Sequence, residues 1–312
     1  MIKSILPERQ RRQMIAGQDA DFCYTLPDGC RQRVNVYLQQ GKPCCAIRIL
    51  NNNIPSMDEL MLPDTLMQLA LLPRGLVLVT GPTGSGKSTT LAAMVGYINE
   101  NSSRHILTIE DPVEYRHESR RSLIYQREVG EDTSSFAEAL RSALREDPDV
   151  ILVGEMRDHE TISAALTAAE TGHLVLSTLH TIGAANTIDR IVDVFPPEGQ
   201  RQIRTQLSMV LQGVITQQLL PNANGSGRGA ALEILIGTDA VRNLIRDNKS
   251  HQLTSVMQTG AKDGMQTLAK DLGRLIALGK ITEETASLAC TDKQELAQFF
   301  ASGQNGQARK NF

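Results

Sequence analysis

Gly81, Gly84, Gly86, Lys87 and Ser88 stand at the spacing G-x-x-x-x-G-K-S. An apolar run, Leu76-Val77-Leu78-Val79, comes before them, and Thr89-Thr90-Leu91-Ala92-Ala93-Met94, with the composition of a helix, follows. In that strand–loop–helix context the pattern is a phosphate-binding loop rather than an ordinary glycine-rich turn. Glycines let the backbone turn its N–H groups inward on a polyphosphate, and the following helix presents its positive end to the same charge. The run Gly81, Pro82, Thr83, Gly84, Ser85, Gly86, Lys87, Ser88 and Thr89 is therefore the candidate cofactor-binding segment. Lys87 reaches the outer phosphates as a point charge, and the Ser88 hydroxyl is the expected Mg²⁺ ligand.

Hydrolysis of a bound triphosphate also needs carboxylates at the ends of neighbouring strands, beside the outer phosphate. Two places offer them. In Ile109-Glu110-Asp111-Pro112-Val113-Glu114 three acids cluster where Pro112 ends a strand, and spacing leaves open which of them polarises water. In Val150-Ile151-Leu152-Val153-Gly154-Glu155 a buried-type strand runs into Glu155, a position costly for an acid unless it works near the metal. His173 and His180 flank the run Leu174 to Leu179 at an interval that points them to opposite faces, which disfavours a shared metal.

The elements that would hold these groups follow from pattern. From Gly75 onward the apolar runs 76–79, 106–109, 150–153 and 174–179 alternate with helical stretches, predicting a mostly parallel sheet covered on both faces. Ser135 and Glu138 form a capping box for a helix over 135–145, and Asp158 and Gly172 bracket another over 159–171. One helical stripe is expected from Gln200 to Leu220 through Ile203, Leu207, Val210, Leu211, Val214 and Ile215. Asn222 to Gly229 is a loop, and further helices are expected over 238–247, 251–258, 265–278 and 282–290. Before the sheet, residues 8–18 read as helix and 21–26, 33–38 and 44–50 as strands of a small α+β fragment. Asn51-Asn52-Asn53-Ile54-Pro55 breaks the composition, and helical segments interrupted by Pro63 are expected from Met57 to Leu72. The division expected is 1–52 as a partial N-terminal domain, 53–73 as linker, 74–300 as an α/β, RecA-like nucleotide-binding domain with C-terminal helices, and 301–312 as a flexible polar tail.

Composition narrows the classes. With 312 residues, 41% hydrophobic and 21% charged, the chain is an ordinary globular protein. A formal charge of −3, no Trp and 4% aromatics leave neither a basic footprint nor stacking platforms, so nucleic acid is not expected as a partner. No apolar run approaches a membrane span, and the first residues lack the core of an export signal, so a cytoplasmic location is expected. Five cysteines without a C-x-x-C pair fit reduced thiols and exclude a zinc ribbon.

Together the loop 81–88, the acidic stretch 109–114, Ala143-Leu144-Arg145-Glu146-Asp147-Pro148-Asp149, the strand 150–157 and Thr171-Gly172-His173 through Thr178-Leu179-His180-Thr181 resemble, in order and spacing, the Walker A, Asp box, Walker B and His box of the secretion ATPases of type II secretion and type IV pili. Coverage runs from about residue 8 to 288. Ala240-Val241-Arg242-Asn243-Leu244-Ile245-Arg246 and Gly264-Met265-Gln266-Thr267-Leu268 resemble the PilT-type retraction branch, and the four-cysteine metal motif common in the extension and secretion branches is missing. The resemblance implies a PAS-like N-terminal domain and a homohexameric, ATP- and Mg²⁺-dependent motor. It makes Glu114 the glutamate that activates water, Glu155 the one near Mg²⁺, directly or through water, and His173 and His180 the residues coupling nucleotide to subunit movement. It also implies that Arg33 and Arg48 reach the nucleotide from the N-terminal domain, while Gly41 stands where the family has a third arginine. An inner-membrane pilus platform protein and a PilU-like paralogue are the implied partners, with the motor docked at the cytoplasmic side of the pilus base. Pilus extension, type II secretion, conjugation and a PilU-like accessory role are the alternative outputs. The family begins with roughly fifty more residues, so an abbreviated or truncated N-terminal domain is expected.

Overall fold

The computed structural model describes residues 5–50, 53–290 and 292–299. Its centre is a seven-stranded sheet of order β10-β9-β4-β8-β7-β5-β6. The strands are β4 (Gly75–Thr80), β5 (His105–Glu110), β6 (Leu123–Glu128), β7 (Val150–Val153), β8 (Leu174–Leu179), β9 (Leu211–Pro221) and β10 (Arg228–Ile236). All neighbours pair in parallel except β9 and β10, which form an antiparallel hairpin. The four apolar runs read from sequence are β4, β5, β7 and β8.

Their continuous apolar character has a direct cause. Leu76 and Leu78 of β4 join one core cluster with Leu107, Ile151 and Val175, whereas Val77 and Val79 join a second with Ile106, Leu152 and Leu176. Side chains alternate across the pleat, so a strand covered by helices on both faces must be apolar at every position. Each such side chain contributes roughly 1.5–3 kcal/mol on burial. The residues 57–72 enter the second cluster, with Met57, Leu62, Leu66 and Leu69 all buried and a helix only over Asp64–Ala70.

The helix Lys87–Asn101 follows β4 directly. The Phe136–Ala143 helix starts where expected, with the Ser135 hydroxyl accepting the Glu138 N–H at 3.2 Å, and the His159–Glu170 helix is capped by Asp158, which accepts the Thr161 N–H at 2.8 Å. The helix expected over 200–220 is corrected: it spans Pro197–Val210, and Leu211–Pro221 is strand β9. The apolar positions 203 to 215 satisfy a helical stripe and a buried strand equally, and the outer edge of β4 decides by taking Leu211 to Thr216 as a parallel partner. Strands β6 and β10 lie where no strand was expected.

The N-terminal residues form a helix (Glu8–Ile15) and a three-stranded antiparallel sheet, β1 (Ala20–Thr25), β2 (Arg31–Gln39) and β3 (Lys42–Ile49). Leu6, Ala20, Phe22, Val34 and Val36 make its own small core. Helices Asp239–Arg246, Leu253–Thr259, Leu268–Ala277 and Glu283–Ala289 follow β10, close to the expected spans. The tail 301–312 lies outside the described residues. Among those described, no helix is long and apolar enough to cross a membrane.

Candidate active site

Strand β4 is flanked by β8 and β9 while its helix leads on to β5, so the C-terminal ends of β4, β8, β7 and β5 open onto a common crevice. There a cleft of about 400 Å³ is lined by the loop from Thr83 to Thr89, by Glu110, Asp111, Glu114 and Glu155, by His180, and by Arg33 and Arg48. Residues some 70 to 150 positions apart in sequence thus meet at one place.

The loop is shaped as its glycines require. Gly81 has φ 137°, and a Cβ there would lie 2.2 Å from the Gln217 carbonyl oxygen. Gly86, with φ 89°, is the N-cap of the Lys87–Asn101 helix, and no side chain caps that end. The first N–H groups of a four-turn helix therefore face the cleft free to receive an anion. The buried Ser85 hydroxyl has no partner. Gln217, on β9, grips the loop from behind: its Nε2 donates to the Ser85 carbonyl at 2.7 Å and its Oε1 accepts the Thr90 hydroxyl at 2.7 Å.

Lys87 folds onto the loop, Nζ donating to the carbonyls of Gly81 at 2.8 Å and Pro82 at 3.0 Å. Burial lowers its pKa, and the Glu155 and Glu114 charges act against that shift. The imidazole of His180 sits between charges, with Nδ1 3.5 Å from Lys87 Nζ and Nε2 3.5 Å from a Glu155 oxygen. Arg157 donates from Nε to the other Glu155 oxygen at 2.8 Å.

The three acids after β5 part company. Glu110 is partly buried at the cleft's edge, and desolvation raises its pKa to about 7 while its carboxyl accepts from the Thr108 hydroxyl at 2.7 Å and from Gln126 at 3.2 Å. Desolvation also raises the pKa of Asp111, against the opposing but smaller pull of the nearby Arg33 charge. Glu114 lies further along, lining the cleft across from the loop. Arg33 and Arg48 are directly opposed on β2 and β3, and Arg33 is held by Asp21 at 2.7 Å, the bond that raises its pKa most. Two arginines facing each other across strands repel unless an anion comes between them. Both line the cleft of their own chain.

His173 is at the other end of β8, about 20 Å away by the rise of a six-residue strand, and binds the Ala168 carbonyl through Nδ1 at 2.9 Å. Sequence reasoning missed several cleft residues: Arg157, Arg228 at the start of β10, and Phe136 and Leu219 on the walls. Arg157 carried a signal, following the acid-ended strand by two residues. Arg228 lay in the expected loop and carried none.

A glycine-cradled anion site on a RecA-like sheet, with lysine and acids converging on it, defines a P-loop nucleotide hydrolase. The family model for type II/IV secretion system proteins matches residues 17–308. The chain is 54% identical over 286 residues to the type IV pilus "retractation" ATPase PilT of Pseudomonas aeruginosa, covering 92% of this chain and 83% of the relative. It is 52% identical over 297 residues to a twitching motility protein of Neisseria gonorrhoeae, covering 95% and 79%. A crystal structure of the pilus retraction motor PilT with bound ADP superposes with a TM-score of 0.88 at 51% identity, covering 95% of this chain and 84% of that one. The chain belongs to the type II/IV secretion system protein family, as a PilT-type ATPase.

Proposed function

We propose that this chain hydrolyses ATP in the cleft beneath Gly81–Thr89 and uses the cycle to drive retraction of a type IV pilus. The observation that carries the reading is the convergence of Lys87, Glu114 and Glu155 on one phosphate loop, in a chain more than half identical to a pilus retraction ATPase.

The residues divide the work. Backbone N–H groups of the loop and the open helix end take the phosphates, and Lys87 leaves the Gly81 and Pro82 carbonyls for their outer oxygens. Glu114 accepts hydrogen bonds from the attacking water and orients it, with no covalent intermediate. Arg33 and Arg48 spread their donors over charge that develops on the transferred group. His180, touching both Lys87 and Glu155, passes the state of the phosphate end to its surroundings.

The donor set suits Mg²⁺ bound together with nucleotide. Ser88 and Glu155 face the cleft, and among the described residues no group of three or more His, Cys, Asp or Glu stands ready to hold a metal alone. Mg²⁺ characteristically takes one or two protein oxygens and completes its shell with phosphates and water, where it neutralises charge. Assembly as a homohexamer, docking on a platform protein at the inner-membrane pilus base and cooperation with a PilU-like paralogue belong to the same proposal. So does the division into an N-terminal PAS-like part, a linker and the ATPase domain.

Phosphate release by the wild type, Lys87→Ala and Glu114→Gln tests the chemistry. The proposal expects Lys87→Ala to bind ATP poorly, and Glu114→Gln to bind it normally while turning over about 100-fold more slowly. A Glu114→Gln protein at the wild-type rate overturns the assignment. A deletion strain expected to carry excess surface pili and not to twitch tests the output; bald cells would instead mean extension.

A further inference from the structure

Arg31 is 5% exposed, yet it spends its guanidinium on main-chain carbonyls. Its Nη2 donates to the Val113 carbonyl at 2.6 Å and its Nη1 to the Glu114 carbonyl at 3.0 Å, while Nε has no partner. A buried cation without a full set of partners is costly, so the position it secures should matter. What it secures is the short segment that carries Glu114. The same segment is held from two other sides. The Val113 N–H donates to Glu128 on β6 at 3.0 Å, and Gln126 donates to the Tyr115 carbonyl at 2.8 Å. The Tyr115 hydroxyl meets the Thr89 hydroxyl on the phosphate-loop helix at 2.9 Å. Two of the three braces belong to the ATPase sheet and its helix. Arg31 comes from the N-terminal sheet, 82 residues before Val113 in the chain and built on a different apolar core, and the Cys23 thiol of the same sheet adds only a weak contact to the Val113 carbonyl at 3.8 Å.

We propose that Arg31 is a positioning residue for the water-activating glutamate. By pinning the Val113 and Glu114 carbonyls, it sets where the Glu114 side chain stands over the phosphate loop, and it makes that placement depend on how the N-terminal sheet is seated. Arg31 and Arg33 sit two residues apart on one strand and share a face, so a shift of β2 moves the brace of Glu114 and an arginine of the cleft together. Misplacement of a reacting group by about 1 Å can cost on the order of 100-fold in rate, so the sheet can switch hydrolysis without leaving the protein.

This inference rests on the ATPase reading, and the test separates the two. Full-length wild type, Arg31→Ala, Arg31→Lys, Glu114→Gln and the Arg31→Ala/Glu114→Gln double variant are assayed for kcat and KM with Mg-ATP and for affinity with a fluorescent ATP analogue. Arg31→Ala is expected to lose about 30- to 100-fold in kcat with KM and affinity within about threefold. Arg31→Lys, which can hold one carbonyl, should recover part of that loss. In the double variant, Arg31→Ala should add nothing to the deficit of Glu114→Gln, because residues that act as a unit are not additive. Arg31→Ala at the wild-type kcat overturns the proposal, as does a double variant in which the two deficits multiply, which marks a general structural role. Should Arg31→Ala fail to fold, Arg31→Lys decides: a fall in kcat at constant KM supports the brace, and the wild-type kcat overturns it. A Glu114→Gln protein at the full rate overturns the underlying reading instead.

Discussion

Gln217 ties the phosphate loop to the sheet, and its removal should damage stability and nucleotide affinity in separable amounts. The side chain is 2% exposed and has two partners, the Ser85 carbonyl and the Thr90 hydroxyl, both on residues no more than 3% exposed. Leaving a buried donor or acceptor without its partner costs about 1–3 kcal/mol each, so Gln217→Ala should lose about 2–6 kcal/mol. The effect on binding follows from the planar trans peptide, in which C=O and N–H point in opposite directions. With the Ser85 carbonyl held by Gln217, the N–H of Gly86 is aimed away from β9, toward the cradle. Once released, that peptide can rotate, and the loss of one hydrogen bond to a charged phosphate is worth about 1.5–3 kcal/mol, or roughly 10- to 100-fold in affinity. Gln217→Glu divides the two contacts, since a carboxylate still accepts from Thr90 but offers Ser85 no donor. It should lose affinity nearly as far as Gln217→Ala. Urea unfolding measures the first effect, and titration with a fluorescent ATP analogue the second. If Gln217→Ala unfolds within about 0.5 kcal/mol of wild type and binds ATP within threefold, the account of how the loop is held is wrong.

Two further outcomes are expected. Glu110 has a folded-state pKa raised by burial from 4.5 to about 7, so the stability it contributes is complete below pH 4.5 and is lost as pH rises through about 7. That gap is worth about 3 kcal/mol. Glu110→Gln lacks it, and wild type should therefore lose about 2–3 kcal/mol relative to this variant between pH 5 and 8, measured from urea midpoints; parallel profiles would contradict the assignment. Gly81→Ala places a Cβ 2.2 Å from the Gln217 carbonyl oxygen on a backbone with φ 137°. The loop cannot keep its shape, and the ATP-dependent thermal shift should vanish, where wild type at about 100 times its Kd gains roughly 2.7 kcal/mol.

Much of the fold was legible because its signals are local. The spacing of Gly81 to Ser88, the acid ending the 150–153 strand, and the caps at Ser135 and Asp158 are each decided within a few residues of backbone geometry. Strand β9 was misread because Ile203, Leu207, Val210, Leu211, Val214 and Ile215 fit a helical stripe as well as a buried strand. Nothing near them records that β4 has an open edge to fill.

By itself, then, the sequence determined that residues 81–89 form a glycine-rich loop between a strand and a helix, that acids stand at two strand ends, and that a parallel sheet carries both, since each follows from the reach of a short segment. Tertiary structure alone decided how the cleft's acids are held: Glu110, Glu114 and Glu155 all line it, Glu110 bound by Thr108 and Gln126 and Glu155 by Arg157. It also decided that Gln217 would grip Ser85 across 132 residues and Arg31 would grip Val113 across 82. Such partners meet only when two separate cores and the sheet order bring their strands together, and no local pattern encodes a contact between segments so far apart.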